Sequence, residues 1–334
     1  MDFGLPQIWA AIIASAVLAY VLLDGFDLGV GLLFLTTPKG PERDAMMNSV
    51  APVWDGNETW LVLGGGGLFA AFPLAYSIVM PALYAPIMVM LLGLVLRGVA
   101  IEFRWRTKRA QFVWDCAFFG GSAVATLAQG IALGALVQGI VVSGRAYGGG
   151  WFDWLTPFSL LTGVALLIGY SLLGATWLYY KSHGPLQHRV RAQARFLGPC
   201  LLLAIAAVSL WTPFLNSLYF SRWFAWPAML FSFIVPLLVI VAAWQFWQGL
   251  NSGPDAKPFL AAEAVFVLCF VGIGISFYPF IVPPSLTILQ AAAPPDSLNF
   301  MLPGVVVLLP IILIYTAFAY WVFRGKVGTG ESHH

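Results

Sequence analysis

The sequence predicts an all-α integral membrane protein: one bundle of about nine transmembrane helices, N-terminus outside (periplasmic) and C-terminus cytoplasmic. Three observations carry this. Hydrophobic residues make up 60% of the 334-residue chain and charged residues only 9%, against roughly 25% charged in soluble domains. Nine apolar stretches are each long enough to cross a ~30 Å hydrocarbon core as a helix of ~20 residues. Finally, the basic residues are sorted onto alternate connections.

The expected spans lie near 7–34, 53–73, 77–101, 112–141, 157–180, 197–217, 223–247, 258–283 and 302–323, within a single membrane domain covering 1–334. Backbone groups in lipid need internal partners, so helices are the default, and no segment alternates like a β-barrel strand. The opening Met1-Asp2-Phe3-Gly4 lacks the positive region of a secretory signal, and the first span is expected to stay. Odd-numbered connections and the C-terminus hold thirteen cations: Lys39, Arg43, Arg104, Arg106, Lys108, Arg109, Lys181, Arg189, Arg191, Arg195, Lys257, Arg324 and Lys326. The other side holds two, Arg145 and Arg222, while Arg97 lies within the third span. That imbalance sets the orientation.

The longest connections are 35–52, 142–156, 181–196 and 284–301, so no extramembrane domain is expected. The last is rich in Pro, Ala and Ser and predicts an ordered outer loop. Gly64-Gly65-Gly66-Gly67 predicts close approach of a second helix or a flat ligand. Tryptophans near span ends (Trp105, Trp151, Trp154, Trp223, Trp226, Trp321) predict interfacial belts. Pro227, Pro236, Pro279 and Pro310 predict bends.

The chemistry-bearing residues are the charges inside these spans. Trp54-Asp55-Gly56-Asn57-Glu58-Thr59-Trp60 places Asp55 and Glu58 at i and i+3, on one helix face, ahead of an apolar run. Asp24-Gly25-Phe26-Asp27 sets two more carboxylates in the first span, Asp27 ~10 Å from its inner end at ~1.5 Å per residue. Arg97 and Glu102 close the third span, Trp114-Asp115 opens the fourth, and Glu263 opens the eighth. All lie in the inner halves. Carboxylates in hydrocarbon are costly and persist where they face protein or water and serve a function. Their clustering suggests a proton track from the cytoplasmic surface toward mid-membrane, through Asp55, Asp27, Asp24 and Glu58.

Plainer roles stand beside this one. Glu102, Asp115 and Glu263 fit interfacial residues. Arg97 fits a snorkelling side chain, or the neutralising partner of a carboxylate. Asp24 and Asp27 fit polar glue between helices, and Asp55 fits an N-terminal cap or dipole partner.

Other chemistries lack their residues. Cys116, Cys200 and Cys269 lie in apolar runs without C-x-x-C spacing, which points away from a disulfide framework or a zinc site and toward small core side chains. His183 and His188 lie outside the spans, and His333 and His334 end the chain as native residues or a purification remnant. With no histidine at depth, the chain is expected to hold no haem itself. No phosphate-binding loop, dinucleotide turn or catalytic triad spacing is present.

Asp24-Gly25-Phe26-Asp27-Leu28-Gly29-Val30-Gly31 and Asn48-Ser49-Val50-Ala51-Pro52-Val53-Trp54-Asp55-Gly56-Asn57 closely resemble subunit II of the cytochrome bd-type quinol oxidases. Phe69-Ala70-Ala71-Phe72-Pro73, Arg97, Trp114-Asp115, Phe277-Tyr278-Pro279-Phe280 and Tyr315-Thr316-Ala317 extend the resemblance along the whole chain. Glu58 departs from members that carry an uncharged amide there; with the compact length, this resembles the cyanide-insensitive branch.

The resemblance implies a multi-pass subunit of a complex in the bacterial cytoplasmic (inner) membrane that oxidises quinol and reduces dioxygen to water. It implies a haem-bearing subunit I as partner, carrying two b-type haems and one d-type haem, in a heterodimer. A quinone bound structurally in subunit II and a small single-helix accessory subunit also follow from the family, with lipid around the complex and no nucleic acid. Carried over by position, Asp55 takes a role in proton delivery, and Asp27, Trp54, Arg97 and Asp115 take roles in haem retention or subunit contact. Catalysis by this chain itself, and any metal site, are not expected. The rival reading is a stand-alone proton-coupled secondary transporter. Such proteins show inverted repeats and paired broken helices at the midplane, which this sequence lacks.

Overall fold

The computed structural model describes residues 4–107 and 109–327. Lys108, Met1-Asp2-Phe3, His333 and His334, all used above, lie outside the described residues. The architecture is a helical bundle. In chain order the helices are α1 (Leu5–Leu33), α2 (Pro41–Val50), α3 (Trp54–Ala71), α4 (Pro73–Ala82), α5 (Tyr84–Arg104), α6 (Gln111–Gln138) and α7 (Pro157–Lys181). There follow α8 (Gly184–Trp211), α9 (Ser217–Phe224), α10 (Ala228–Ser252), α11 (Ala256–Phe277), α12 (Ile288–Ala291) and α13 (Pro295–Val322). Two short antiparallel hairpins complete it. In β1–β2 Val142 faces Tyr147 and Ser143 faces Ala146; in β3–β4 Phe280 faces Thr287 and Val282 faces Leu286 across a bulge.

Among the described residues, eight helices are long and apolar enough to cross a membrane. They correspond, with shifted ends, to eight of the nine expected spans. The remaining one, α3, is an 18-residue helix whose first turns hold Asp55, Asn57 and Glu58 and whose middle is four glycines. These residues dilute its hydropathy without preventing the helix.

The boundaries shift for identifiable reasons. The expected span 77–101 is broken at Leu83 into α4 and α5; Pro86 has no N–H to return to Ala82, and its ring crowds that carbonyl. The sixth span begins at Gly184, so the basic segment up to Arg195 forms its first turns. The eighth stops at Phe277, because residues 280–287 turn back as a hairpin. The connection 284–301 contains α12 and the start of α13. Helix α2 fills the connection 35–52, opening at Pro41 with Glu42 and Asp44 in its first turn, where the helix dipole favours acidic groups.

Close crossings set the bundle. A Cβ on Gly29 would stand 1.8 Å from the Tyr170 carbonyl oxygen, and one on Gly174 would stand 2.2 Å from the Gly29 carbonyl carbon. Helices α1 and α7 therefore meet backbone to backbone, the small-residue packing that membrane helices favour. Gly93 and Gly121 do the same for α5 and α6. In the glycine run, Gly64 and Gly67 approach Val17 and Ile13 of α1, whereas Gly65 and Gly66 touch nothing; half of the run is a packing face.

The apolar core has two main parts beside two small clusters, around Trp60 and around Phe158. The larger joins Phe26, Leu28, Val30, Phe118, Leu173, Leu178 and Leu250 toward the basic end; the smaller joins Trp9, Phe72, Ile78, Val282 and Leu298 at the hairpin end. Helix α13 lies on the outside and is held at points: Trp9 Nε1 donates to Leu298 O (3.3 Å), and Lys181 Nζ donates to the carbonyls of Phe323 and Gly325.

Candidate functional site

The polar site is built from four helices, α1, α3, α5 and α13. On α1, Asp24 and Asp27 are one turn apart and both buried, at 0% and 1% exposure. Their helix is fixed by the Gly29–Gly174 contact just beyond them. Arg97, fully buried on α5, reaches across: Nη1 donates to Asp24 Oδ1 at 2.5 Å and Nη2 donates to Glu58 Oε2 at 2.7 Å. One guanidinium thus holds carboxylates from α1 and α3, which its planar fork suits. Trp54 lies over this cation, its ring centre 5.9 Å from the guanidinium carbon. Gly98 makes room for that indole, since a Cβ there would come within 3.0 Å of it.

A turn away, Asn57 takes Asp27. Its Nδ2 donates to Asp27 Oδ2 at 2.7 Å and to the Leu23 carbonyl at 3.3 Å, while its Oδ1 accepts from the Tyr320 hydroxyl of α13 at 2.9 Å. Asp27 Oδ1 is buried with no hydrogen-bond partner. Asp27, Asn57 and Tyr320 therefore form a chain beside the Arg97 cluster.

Asp55 sits elsewhere. It is exposed, and with Glu58, Glu102, Trp54, Gly98 and Phe103 it lines an open groove of about 460 Å³ between α3 and α5. Glu58 belongs to both places: its carboxylate is bonded inward to Arg97 and also lines the groove. The i, i+3 spacing of Asp55 and Glu58 accordingly connects a surface to a buried cluster.

Asp115 forms a second centre nearer the basic end. Arg43 Nη1 donates to its Oδ2 and Arg104 Nε to its Oδ1, each at 2.7 Å, and Arg104 Nη1 also donates to Asp44 Oδ1 at 2.8 Å. Arg43 Nε completes its own set on the Thr37 carbonyl at 2.8 Å. Arg43, Arg104 and Asp115 are all at most 5% exposed. The interfacial reading of Asp115 is thus replaced by a buried one, and Arg43 and Arg104 are internal partners. This centre ties α2 to α5 and α6.

Sequence reasoning brought Asp24, Glu58 and Arg97 together in kind and missed Asn57, Tyr320, Arg43, Arg104 and Asp44 as partners. A signal existed for two of them: Asn57 lies in the Asp55–Glu58 segment, and Arg104 sits one helical position from the pair Glu102–Phe103 at a span end. Tyr320 had none, being 263 residues from Asn57.

A third group lies at the basic end, outside the spans. Lys326 Nζ and Gln187 Nε2 both donate to Asp255 Oδ2, at 2.5 and 3.0 Å. Partial burial pushes the Asp255 carboxyl up, but the bonds and charge from Lys326 outweigh it and hold the group below its ordinary value.

Comparison with known proteins gives a consistent result. A sequence model of the family described as cytochrome bd terminal oxidase subunit II matches residues 5–323. Cytochrome bd-I ubiquinol oxidase subunit 2 of Escherichia coli (strain K12) is 30% identical over a 366-residue alignment covering 96% of this chain and 94% of that protein. Cytochrome bd ubiquinol oxidase subunit 2 of Bacillus subtilis (strain 168) is 27% identical, with 98% of each chain covered. The structure of the bd oxidase from Geobacillus thermodenitrificans has a chain with the same fold: TM-score 0.74, covering 96% of this chain and 99% of that one, at 16% identity.

Proposed function

Because this chain belongs to the cytochrome bd terminal oxidase subunit II family, we propose that it is the haem-free partner of subunit I and that its buried carboxylates carry protons toward the site of oxygen reduction. The chain is a subunit of a quinol oxidase complex, an oxidoreductase of the bacterial inner membrane. The complex uses haem, and subunit I and the substrates quinol and dioxygen come with family membership.

Among the described residues, the histidines do not fit an axially ligated haem. His183 is exposed just before α8, and His188 is exposed in its first turns at the basic end. The family resemblance assigns two b-type haems and one d-type haem to subunit I, where they would supply the electron transfer and oxygen reduction. A quinone held structurally by this subunit and a small single-helix accessory subunit remain part of the family reading.

The observation that carries the proton reading is the double engagement of Arg97 with Asp24 and Glu58. It links a buried pair of carboxylates on α1 to a carboxylate that also faces the Asp55 groove. On this reading Asp55 and Glu102 collect protons at the groove, Glu58 passes them inward, and Asp27, which has no ion-pair partner among the described residues, receives them. Trp54 shields the Arg97 cluster from the groove, and Asp115 with its two arginines holds α2 and the start of α3 in place. With electrons from quinol at the outer side and protons from the inner side, turnover is electrogenic without pumping.

The test is purification of the complex through this chain in mild detergent, then comparison of native and Asp55→Asn forms. A slower quinol oxidation rate with an unchanged reduced-minus-oxidised haem spectrum supports proton delivery. Loss of the haem bands would assign Asp55 to assembly, and a colourless stable single subunit would end the oxidase reading altogether.

A further inference from the structure

We propose that Glu263 is a second proton-holding carboxyl of this site, reached along α11 from the basic end and delivering to Asp27 by a route separate from the Asp55 groove. The proposal rests on the proton-path reading above and adds an entry to it.

Phe259, Glu263 and Phe266 stand at i, i+4 and i+7, one face of α11. The structure shows what that face meets. The Phe259 ring lies 5.7 Å from Phe26 and 5.3 Å from Trp177, and those two rings lie 6.4 and 6.3 Å from Tyr320. Phe266 stacks on Tyr170 at 5.7 Å. Tyr170 in turn closes on the backbone beside Asp24, since a Cβ on Gly25 would stand 2.8 Å from its ring. The two phenylalanines that flank Glu263 on this face therefore lead to two phenols, Tyr320 on the Asn57–Asp27 chain through Phe26 and Trp177, and Tyr170 against the Asp24 turn.

Four polar atoms along this line are buried without a hydrogen-bond partner: Glu263 Oε2, the Tyr170 hydroxyl, the Trp177 indole nitrogen and Asp27 Oδ1. An orphaned buried polar group in a native protein calls for an explanation, a catalytic or proton-carrying role among them. Among the described residues, neither Glu263 nor Asp27 pairs with a cation, whereas Asp24 and Glu58 share Arg97. The elements around this face carry Asp24 and Asp27 on α1, Tyr170 on α7 and Tyr320 on α13; α10, which also packs on α11, carries no titratable side chain. Glu263 lies seven residues into α11, ~10 Å from its start, a depth at which an ionisable group is functional by default.

The transfer conserves charge: one proton leaves the Glu263 carboxyl and one arrives at Asp27 Oδ1. Tyr320 is a positioning residue. By donating to Asn57 Oδ1 it aims the amide at Asp27 Oδ2, which leaves Oδ1 open to the incoming proton.

The test uses the whole complex and redox-difference infrared spectroscopy in H2O and D2O, alongside quinol oxidation and haem content. Glu263→Gln is expected to remove one deuterium-sensitive carboxyl band and to slow turnover several-fold at unchanged haem content. Tyr320→Phe should shift that band, and Glu263→Asp should keep it at a new frequency. If Glu263→Gln does not assemble, the last two variants decide by the same band. An unchanged spectrum, or a lost band with unchanged turnover, overturns the proposal while Asp27→Asn still slows the enzyme. If Asp27→Asn itself leaves turnover intact with haem retained, the wider proton reading falls instead.

Discussion

Arg97 Nη1 and Asp24 Oδ1 stand 2.5 Å apart with both side chains fully buried. Removing one member of such a pair leaves an uncompensated charge, at a cost of about 3–5 kcal/mol. Arg97→Ala is therefore expected to lower the thermal stability of the complex sharply. Arg97→Lys should recover only part of it, because an ammonium does not fork to both Asp24 and Glu58. Melting curves followed by haem absorbance check both; native stability in Arg97→Ala would show that the pair is not structural.

Asp115→Asn removes the carboxylate shared by Arg43 and Arg104. Arg104 keeps Asp44 and Arg43 keeps the Thr37 carbonyl, so the expected loss is at or below the low end of the range for a broken buried pair, about 3 kcal/mol. Because the three groups form one network, Asp115→Asn combined with Arg43→Gln should cost less than the sum of the single changes. Additive losses would mean that the network does not act as a unit.

The fold was largely legible in the sequence because apolar length and the sorting of cations act locally. Eight spans and the helical α3 follow from those features alone. The carboxylates were legible for the same reason, since a charge in an apolar run declares itself. Their partners were not. Asp24 and Arg97 are 73 residues apart, and Asp115 and Arg43 are 72; nothing in either segment encodes which arginine meets which acid. Arg43 and Arg104 read as surface cations because they lie where the positive-inside rule expects them, and only packing shows them turned inward. The break at Leu83 was written in Pro81 and Pro86, but an apolar run extending across both prolines concealed it.

The link between Asp255 and Lys326 gives a pH dependence outside the membrane. The folded carboxyl lies below its ordinary value near 3.8, so the folded form binds fewer protons there than the unfolded chain. Its contribution is present above the unfolded value and is lost as pH falls through the folded one. Both side chains are partly exposed, which limits the contribution to less than about 1 kcal/mol. Protection of the backbone at residues 323–327 against hydrogen exchange should be steady near neutrality, weaken in acid below pH ~4, and be reduced throughout in Asp255→Asn. Protection that ignores both acid and the substitution would assign the tail to Lys181 alone.

Gly29→Val should be more damaging than ordinary overpacking, which costs about 1–3 kcal/mol, because the first added atom already meets the Tyr170 carbonyl at 1.8 Å. Loss of assembled complex, scored by co-purification of both subunits, is the expected outcome.

The same contact decides where this chain tolerates changes in length. An α-helix turns about 100° per residue, and Gly29 has one permitted orientation toward α7. An inserted residue before Tyr20 would rotate and displace only the N-terminal half of α1, leaving Asp24 and Asp27 in register with Arg97 and Asn57. One inserted between Asp27 and Gly29 would swing both carboxylates a quarter-turn or more off their partners while the crossing stayed locked. Insertions and deletions among homologues should therefore be absent from the short interval between Asp24 and Gly31, and permitted toward the N-terminus of the same helix.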